Sequence, residues 1–156
     1  IPYVITHCSN NYEPNQNIEK LIPKTIKNII SNKKIPIYGD GSNIRDWIYI
    51  DDHCNAILKI FKKRKINTSY NIGGNNQIAN LMLVNKIIKI IKNNKKFNAD
   101  KKINFNNLIN FVEDRLGHDY RYDLDTSKIY KQIGFKPLTS IDKGLIKTIT
   151  WYAINS

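Results

Sequence analysis

The chain reads as α/β, with short strands alternating with amphipathic helices. Three observations carry that reading. Apolar residues recur at helical spacing in separate stretches, most plainly at Ile22, Ile26, Ile29 and Ile30. Between those stretches lie short apolar runs bounded by Gly, Pro or Asn, as in Pro36-Ile37-Tyr38-Gly39 and Tyr70-Asn71-Ile72-Gly73-Gly74. Finally, 156 residues with 41% hydrophobic and 24% charged content match a globular unit able to bury a core, not a disordered chain.

Taken in order, residues 2 to 8 read as a short buried strand, and 9 to 17, rich in Asn and Pro, as a turn. A helix follows from Ile18 to about Ser31, then a brief strand from Lys34 to Tyr38. Residues 45 to 50 alternate Trp47 and Tyr49 against Asp46, Ile48 and Ile50, the period of a strand. Asp51 is placed to cap a helix running to Lys63, with Ala56, Ile57, Ile60 and Phe61 inward. A strand from Ser69 to Ile72 ends at Gly73-Gly74, and Asn80 is placed to cap a helix whose inner face is Val84, Ile87, Ile88 and Ile91. The basic, Asn-rich stretch 92–107 reads as a mobile connector. Leu108 to Val112 is a strand, Tyr120 to Leu124 is extended, and Asp125 caps a short helix that stops at Gly134. Thr139 and Asp142 have capping-box spacing for a last helix burying Ile141, Leu145, Thr148, Ile149 and Tyr152. No linker divides the chain, so 1–156 reads as one unit, and its apolar start without Met suggests entry into a larger protein.

The formal charge of +12 raises nucleic acid as a partner. The surplus comes with abundant Asn and Ile, residues with AT-rich codons, and Lys24, Lys27, Lys59, Lys86 and Lys89 are scattered along helices. No nucleic-acid partner is therefore expected. Two cysteines, Cys8 and Cys54, give no disulfide framework and suggest a reducing, cytoplasmic setting. Each follows a histidine, but neighbours on a strand point to opposite faces, so no metal site is expected. No stretch is long and apolar enough to span a membrane.

Arginine is scarce: Arg45, Arg64, Arg115 and Arg121 are the only four, in a chain that otherwise fills cationic positions with Lys. Arg64 lies in a Lys-rich run, whereas the others sit in compact segments rich in Asp and Gly. Such arginines either pair with the neighbouring Asp residues to fix loops, or offer the planar fork that grips phosphate. Asn10, Asn11, Asn80 and Tyr38 add neutral hydrogen-bonding groups, and His118 a switchable one. That inventory suits a polar ligand with hydroxyls and an anionic centre, such as a sugar nucleotide.

Several segments carry a family resemblance in order: Ser9-Asn10-Asn11-Tyr12-Glu13-Pro14, Glu19-Lys20-Leu21-Ile22-Pro23, and Pro36 through Gly41. Arg45-Asp46-Trp47-Ile48-Tyr49-Ile50-Asp51-Asp52-His53, Tyr70 through Asn76, and Asp114-Arg115-Leu116-Gly117-His118-Asp119 continue it, as does the ending from Gly134 to Tyr152. Over essentially its whole length the chain resembles the second half of the dTDP-glucose 4,6-dehydratases. These are NAD-dependent members of the extended short-chain dehydrogenase/reductases, in the epimerase/dehydratase family. The Arg-Asp-Trp and Asn-Ile-Gly-Gly elements are shared among sugar-nucleotide enzymes of that superfamily, while the Asp114 to Tyr122 segment is narrower.

The resemblance implies the last strands and helices of a Rossmann-type domain plus a small mixed α/β substrate-binding domain. It also implies a part in converting dTDP-glucose to dTDP-4-keto-6-deoxyglucose and water, a step toward deoxysugars and surface polysaccharides. Residue by residue, it implies that Asn10 contacts the substrate and Asn11 lies near NAD. Lys20 and Leu21 line the nucleotide site, with Pro36, Ile37 and Tyr38 around the base. Arg45 and Arg115 hold the diphosphate, assisted by Asn80 and by Asp114, Leu116, Gly117 and His118. Dimers of the full-length enzyme follow from the same resemblance.

Two positions depart from the family, which has Gly where Glu13 stands and Pro where Leu116 stands. Glu13 is expected to strain a Gly-type turn or bring a carboxylate near an anionic ligand. Leu116 is expected to loosen the loop that presents Arg115. The chain has no G-x-G-x-x-G turn after a strand and no Tyr followed four residues later by Lys. Gly73-Gly74 reads as a tight turn, and the paired acids Asp51-Asp52 and Glu113-Asp114 as a helix cap and a loop anchor. No catalytic residue is therefore assigned, and the chain alone is expected not to turn over substrate. The alternatives are part of a UDP-sugar epimerase or decarboxylase, or a non-catalytic remnant or binding module.

Overall fold

The computed structural model describes residues 1–63, 65–94 and 103–155. The elements run β1 (Val4–Cys8), β2 (Asn10–Tyr12), α1 (Leu21–Ile30), β3 (Ile35–Tyr38), β4 (Ile44–Tyr49) and α2 (Ile50–Lys63). They continue with β5 (Thr68–Ile72), β6 (Gln77–Ala79), α3 (Asn80–Asn93), β7 (Ile109–Val112), β8 (Arg121–Tyr122), α4 (Ser127–Ile133) and α5 (Ile141–Asn155).

The middle strand of the fold is β4. It pairs in parallel with β2 and β8 and antiparallel with β6, while β1 pairs in parallel with β5 and β3 with β7. Alternation along β4 feeds two cores. Trp47 and Tyr49 face a cluster built from Ile22, Ile26 and Ile29 of α1, Leu83, Val84, Ile87 and Ile91 of α3, and Leu145 and Ile149 of α5. Ile48 faces the other, with Ala56 and Ile60 of α2, Tyr70 and Ile72 of β5, and Ile129 and Ile133 of α4. Each isoleucine so buried contributes roughly 1.5–3 kcal/mol. The sequence period located the buried faces of α1, α3 and α5, each of which buries one apolar stripe.

Asp46, also on β4, is fully buried. Its two carboxylate oxygens accept the N–H groups of Gly74 (2.8 Å) and Asn76 (2.7 Å), which offsets its desolvation. Gly73 and Gly74 are required here for approach. A Cβ on Gly74 would lie 1.8 Å from the Trp47 carbonyl oxygen, and one on Gly73 would lie 2.7 Å from Asp46 Oδ2.

Several expectations are corrected. The first strand forms, but its middle three residues are exposed, and among the described residues it pairs only with β5. The supposed turn from residue 9 contains β2, and Ser9 alone separates it from β1, with its N–H bonded to the Ile72 carbonyl. Strand β6 had no apolar run to announce it. On α2, Ala56 and Ile60 are buried, but Ile57 and Phe61 are exposed and line an open apolar groove with Tyr3, Val4 and Ile66.

Caps differ as well. Asp51 lies inside the first turn of α2, and Asp52, buried, accepts the Thr139 N–H at 2.8 Å. The Thr139 N–H thus goes to Asp52 and not to Asp142 as in a capping box, and Ser140 Oγ takes the Lys143 N–H at the start of α5. Asn80 is the first residue of α3, not its cap. Asp125 does bond Ser127 N–H (2.8 Å), from one residue before the cap, and Gly134 ends α4 in the left-handed conformation. Of the connector 92–107, residues 95–102 lie outside the described residues, whereas Lys92 and Asn93 are helical.

Candidate functional site

A cavity of about 800 Å³ opens beside the β2–β4 pair. The parallel register sets Asn10 opposite Trp47 and Asn11 opposite Ile48, and Arg45 lies two residues from Trp47 on the same face. Asn10, Asn11, Arg45 and Trp47 form one wall. The end of β3 supplies Pro36, Ile37 and Tyr38, and the start of α1 supplies Lys20, Leu21 and Lys24. Gln16, Asn17 and Glu19 precede α1 on the same side, Asn80 enters from α3, and Arg115 and His118 come from the loop after β7. Backbone bonds from Asn80 N–H to Asn43 O (3.0 Å) and Leu81 N–H to Gly41 O (3.0 Å) tie the head of α3 to the turn before β4.

The cavity is cationic. Lys20, Lys24, Arg45 and Arg115 line it, and Glu19 is its one acidic lining residue. Arg45 donates to two carbonyl oxygens, Nη1 to Ile44 at 2.7 Å and Nη2 to Asp119 at 2.8 Å. Carbonyls orient a guanidinium without neutralising it. Arg115 lies with Cζ 4.1 Å from the centroid of the Tyr38 ring. Neither arginine has a carboxylate partner among the described residues, whereas Arg121 pairs with Asp123 at 2.7 Å. The choice between loop-fixing and phosphate-gripping arginines thus divides: Arg121 is of the first kind, and Arg45 and Arg115 keep charge available for an anion.

Two of the lining residues carry buried polar atoms without partners. Asn80 Oδ1 and Trp47 Nε1 are buried and make no hydrogen bond among the described residues. Asn11 is differently placed, because its side chain is already committed. Its Oδ1 lies 2.8 Å from His53 Nδ1, and its Nδ2 donates to Ser9 O (3.2 Å) and Cys8 Sγ (3.4 Å). Burial lowers the His53 pKa below its ordinary value, so the neutral ring is favoured there.

Three residues of the predicted set stand off the cavity wall. Asp114 is behind it, with Oδ1 accepting from His118 Nδ1 (2.6 Å) and Arg115 N–H (2.8 Å); these bonds, His118 first, hold its pKa below the usual carboxylate value. Gly117 takes φ +70° in the loop, and Leu116 points into solvent. The departures have local answers. Glu13 is not in the left-handed region; Asn15 takes that conformation at φ 57°, so no Gly-type strain falls on Glu13. The Leu116 loop is closed by the Asp114 bonds and by His118 N–H to Arg115 O at 3.1 Å.

Five lining residues escaped the sequence reading: Gln16, Asn17, Glu19, Lys24 and Trp47. Trp47 was recoverable from its two-residue spacing to Arg45, and Lys24 from its one-turn spacing to Lys20. Nothing in the pattern pointed to the other three. For NAD, no glycine-rich turn among the described residues forms a pyrophosphate cradle. Gly73-Gly74 is spent on contact with β4, and Asn11 is the one residue assigned toward the cofactor.

Comparison with known proteins identifies the family and the fold. The dTDP-glucose 4,6-dehydratase of Haemophilus influenzae is 41% identical over 156 residues, which is 100% of this chain and 46% of that protein. The chain thus spans about half the length of the curated relative it matches, corresponding to the C-terminal half. The structure of the Streptomyces venezuelae dTDP-glucose 4,6-dehydratase with NAD and TDP superposes with TM-score 0.85 at 36% identity, covering 97% of this chain and 44% of that one. A Bacillus cereus UDP-glucuronic acid 4-epimerase in complex with UDP-glucuronic acid and NAD gives TM-score 0.85 at 26% identity, over 100% of this chain and 46% of that one. A model of the family described as GDP-mannose 4,6 dehydratase matches residues 1–148, and the chain belongs to that family.

Proposed function

We propose that this chain supplies the sugar-nucleotide-binding part of an NAD-dependent dTDP-glucose 4,6-dehydratase. The supporting observation is the convergence of two arginines without carboxylate partners, Arg45 and Arg115, with Tyr38 on one polar cavity. In this reading Arg45 and Arg115 clamp the diphosphate, and Lys20 adds charge at the head of α1. Pro36, Ile37 and Tyr38 bound the base, and Asn10 and Asn80 read hydroxyls. Asn11 borders NAD, which other residues of the enzyme hold. The chemistry belongs to the complete enzyme, a homodimer making a precursor of deoxysugars. The cavity described here binds and orients the substrate.

Isothermal titration of the chain with dTDP tests the reading. Saturable binding that weakens by roughly 10-fold or more in Arg45→Ala is expected, since a charge-assisted bond contributes about 1.5–3 kcal/mol. Absence of binding by the folded chain removes the reading. A UDP-sugar epimerase is the second reading, favoured by the equal superposition on the Bacillus cereus enzyme. A parallel titration with UDP decides between them, since equal affinity leaves no ground for preferring dTDP.

A further inference from the structure

We propose that Asp114 is a positioning residue: it holds His118 with Nδ1 turned inward and Nε2 left for the ligand, and it fixes Arg115 above Tyr38. Only the identity of the ligand rests on the function proposed above; the arrangement itself stands on distances within the loop.

Asp114 does not line the cavity, yet one of its oxygens touches both loop residues that do. Oδ1 accepts from His118 Nδ1 at 2.6 Å and from the Arg115 N–H at 2.8 Å. An ionised carboxylate only accepts, so Nδ1 carries the proton in this contact. The lowered pKa of Asp114 is consistent with that state. Nε2 of the neutral ring is then an acceptor, suited to a ligand hydroxyl or N–H, and it becomes a donor when the ring is protonated. The His118 side chain is 14% exposed and meets the Tyr38 ring edge-on, with centroids 6.5 Å apart, while Arg115 covers that ring from 4.1 Å. Displacing Asp114 therefore disturbs a three-part contact.

The preceding turn is shaped for the same carboxylate. Gly39 has φ +56°, and a Cβ there would lie 3.1 Å from Asp114 Oδ2. Its N–H is bonded to Val112 O at 2.9 Å, so the end of β3 and the loop after β7 cannot separate to relieve crowding. Glycine is suited to this position both by its backbone and by the room it leaves.

The test combines imidazole nitrogen NMR of the full chain at pH 8.5 with dTDP calorimetry. In the parent chain His118 is expected to be protonated on Nδ1. In Asp114→Ala it is expected to move to the Nε2-protonated form, and dTDP affinity to fall roughly 10-fold, on the scale of one lost charge-assisted contact. In a His118→Ala background the same change is expected to cost clearly less, because its effect passes partly through the missing ring. Nε2 protonation in the parent, an unchanged tautomer in folded Asp114→Ala, or unchanged affinity overturns the proposal. If the folded parent chain does not bind dTDP, the sugar-nucleotide reading fails and the tautomer result alone decides the role of Asp114.

Discussion

At Arg45 and Arg115 the protein orients two guanidinium groups that make no direct ion pair among the described residues, one by carbonyl oxygens and one by an aromatic face. Arg115→Lys retains the charge and loses both the planar fork and the stacking over Tyr38. A roughly 10-fold weaker dTDP affinity is expected from a lost contact of about 1.5 kcal/mol, read by calorimetry. Tyr12 illustrates the opposite economy. Its hydroxyl is buried without a partner among the described residues, and burial first, then Tyr49, then Asp52 and Asp142, pushes its pKa well above the ordinary phenol value. Removing an unpaired buried hydroxyl costs little, so Tyr12→Phe is expected to change stability by no more than about 1 kcal/mol, or to raise it. A loss above that in urea unfolding would mean that the hydroxyl has a role the structure does not display. His53 gives a pH dependence of definite sign. Its folded pKa lies below the usual 6.5, so as pH falls through that value the unfolded chain binds the proton first and stability declines. His53→Gln is expected to shrink the stability difference between pH 7.5 and 5.5; an unchanged difference counts against this assignment.

At the scale of elements, β4 is tied to the β5–β6 turn by contacts with no slack. Gly74→Ala places a methyl against the Trp47 carbonyl and is expected to prevent folding or cost more than about 4 kcal/mol, the range reserved for core disruption. Retention of the parent melting temperature would show that the turn can back away. Helices α1, α3 and α5 were legible because each buries one apolar stripe at a period that Ile, Leu and Val make plain. Strands β2 and β6 were not. Asn10-Asn11-Tyr12 and Gln77-Ile78-Ala79 are held by pairing to β4, and no local pattern records a partner distant in sequence. The same holds for caps: Thr139 and Asp142 have the right spacing, but buried Asp52, far away in the chain, takes the Thr139 N–H.

For the whole molecule, the residues carried over by resemblance fall mostly around one cavity, and the misses follow a rule. Asp114, Leu116 and Gly117 were carried over as a block with Arg115 and His118, although alternate residues of a tight loop face different ways. Gln16, Asn17 and Glu19 face the cavity from irregular chain, where no period reveals a face. This leaves the cavity with two unlike walls. The β4 wall is wedged between both cores, so Trp47 cannot be replaced without disturbing the structure around it. The wall from Gln16 to Lys24 includes surface positions that neither core uses. Under the proposed function, selection for a different sugar nucleotide would therefore find its accepted substitutions on that second side, and a saturation library placed there should keep a high folded fraction while it changes ligand preference.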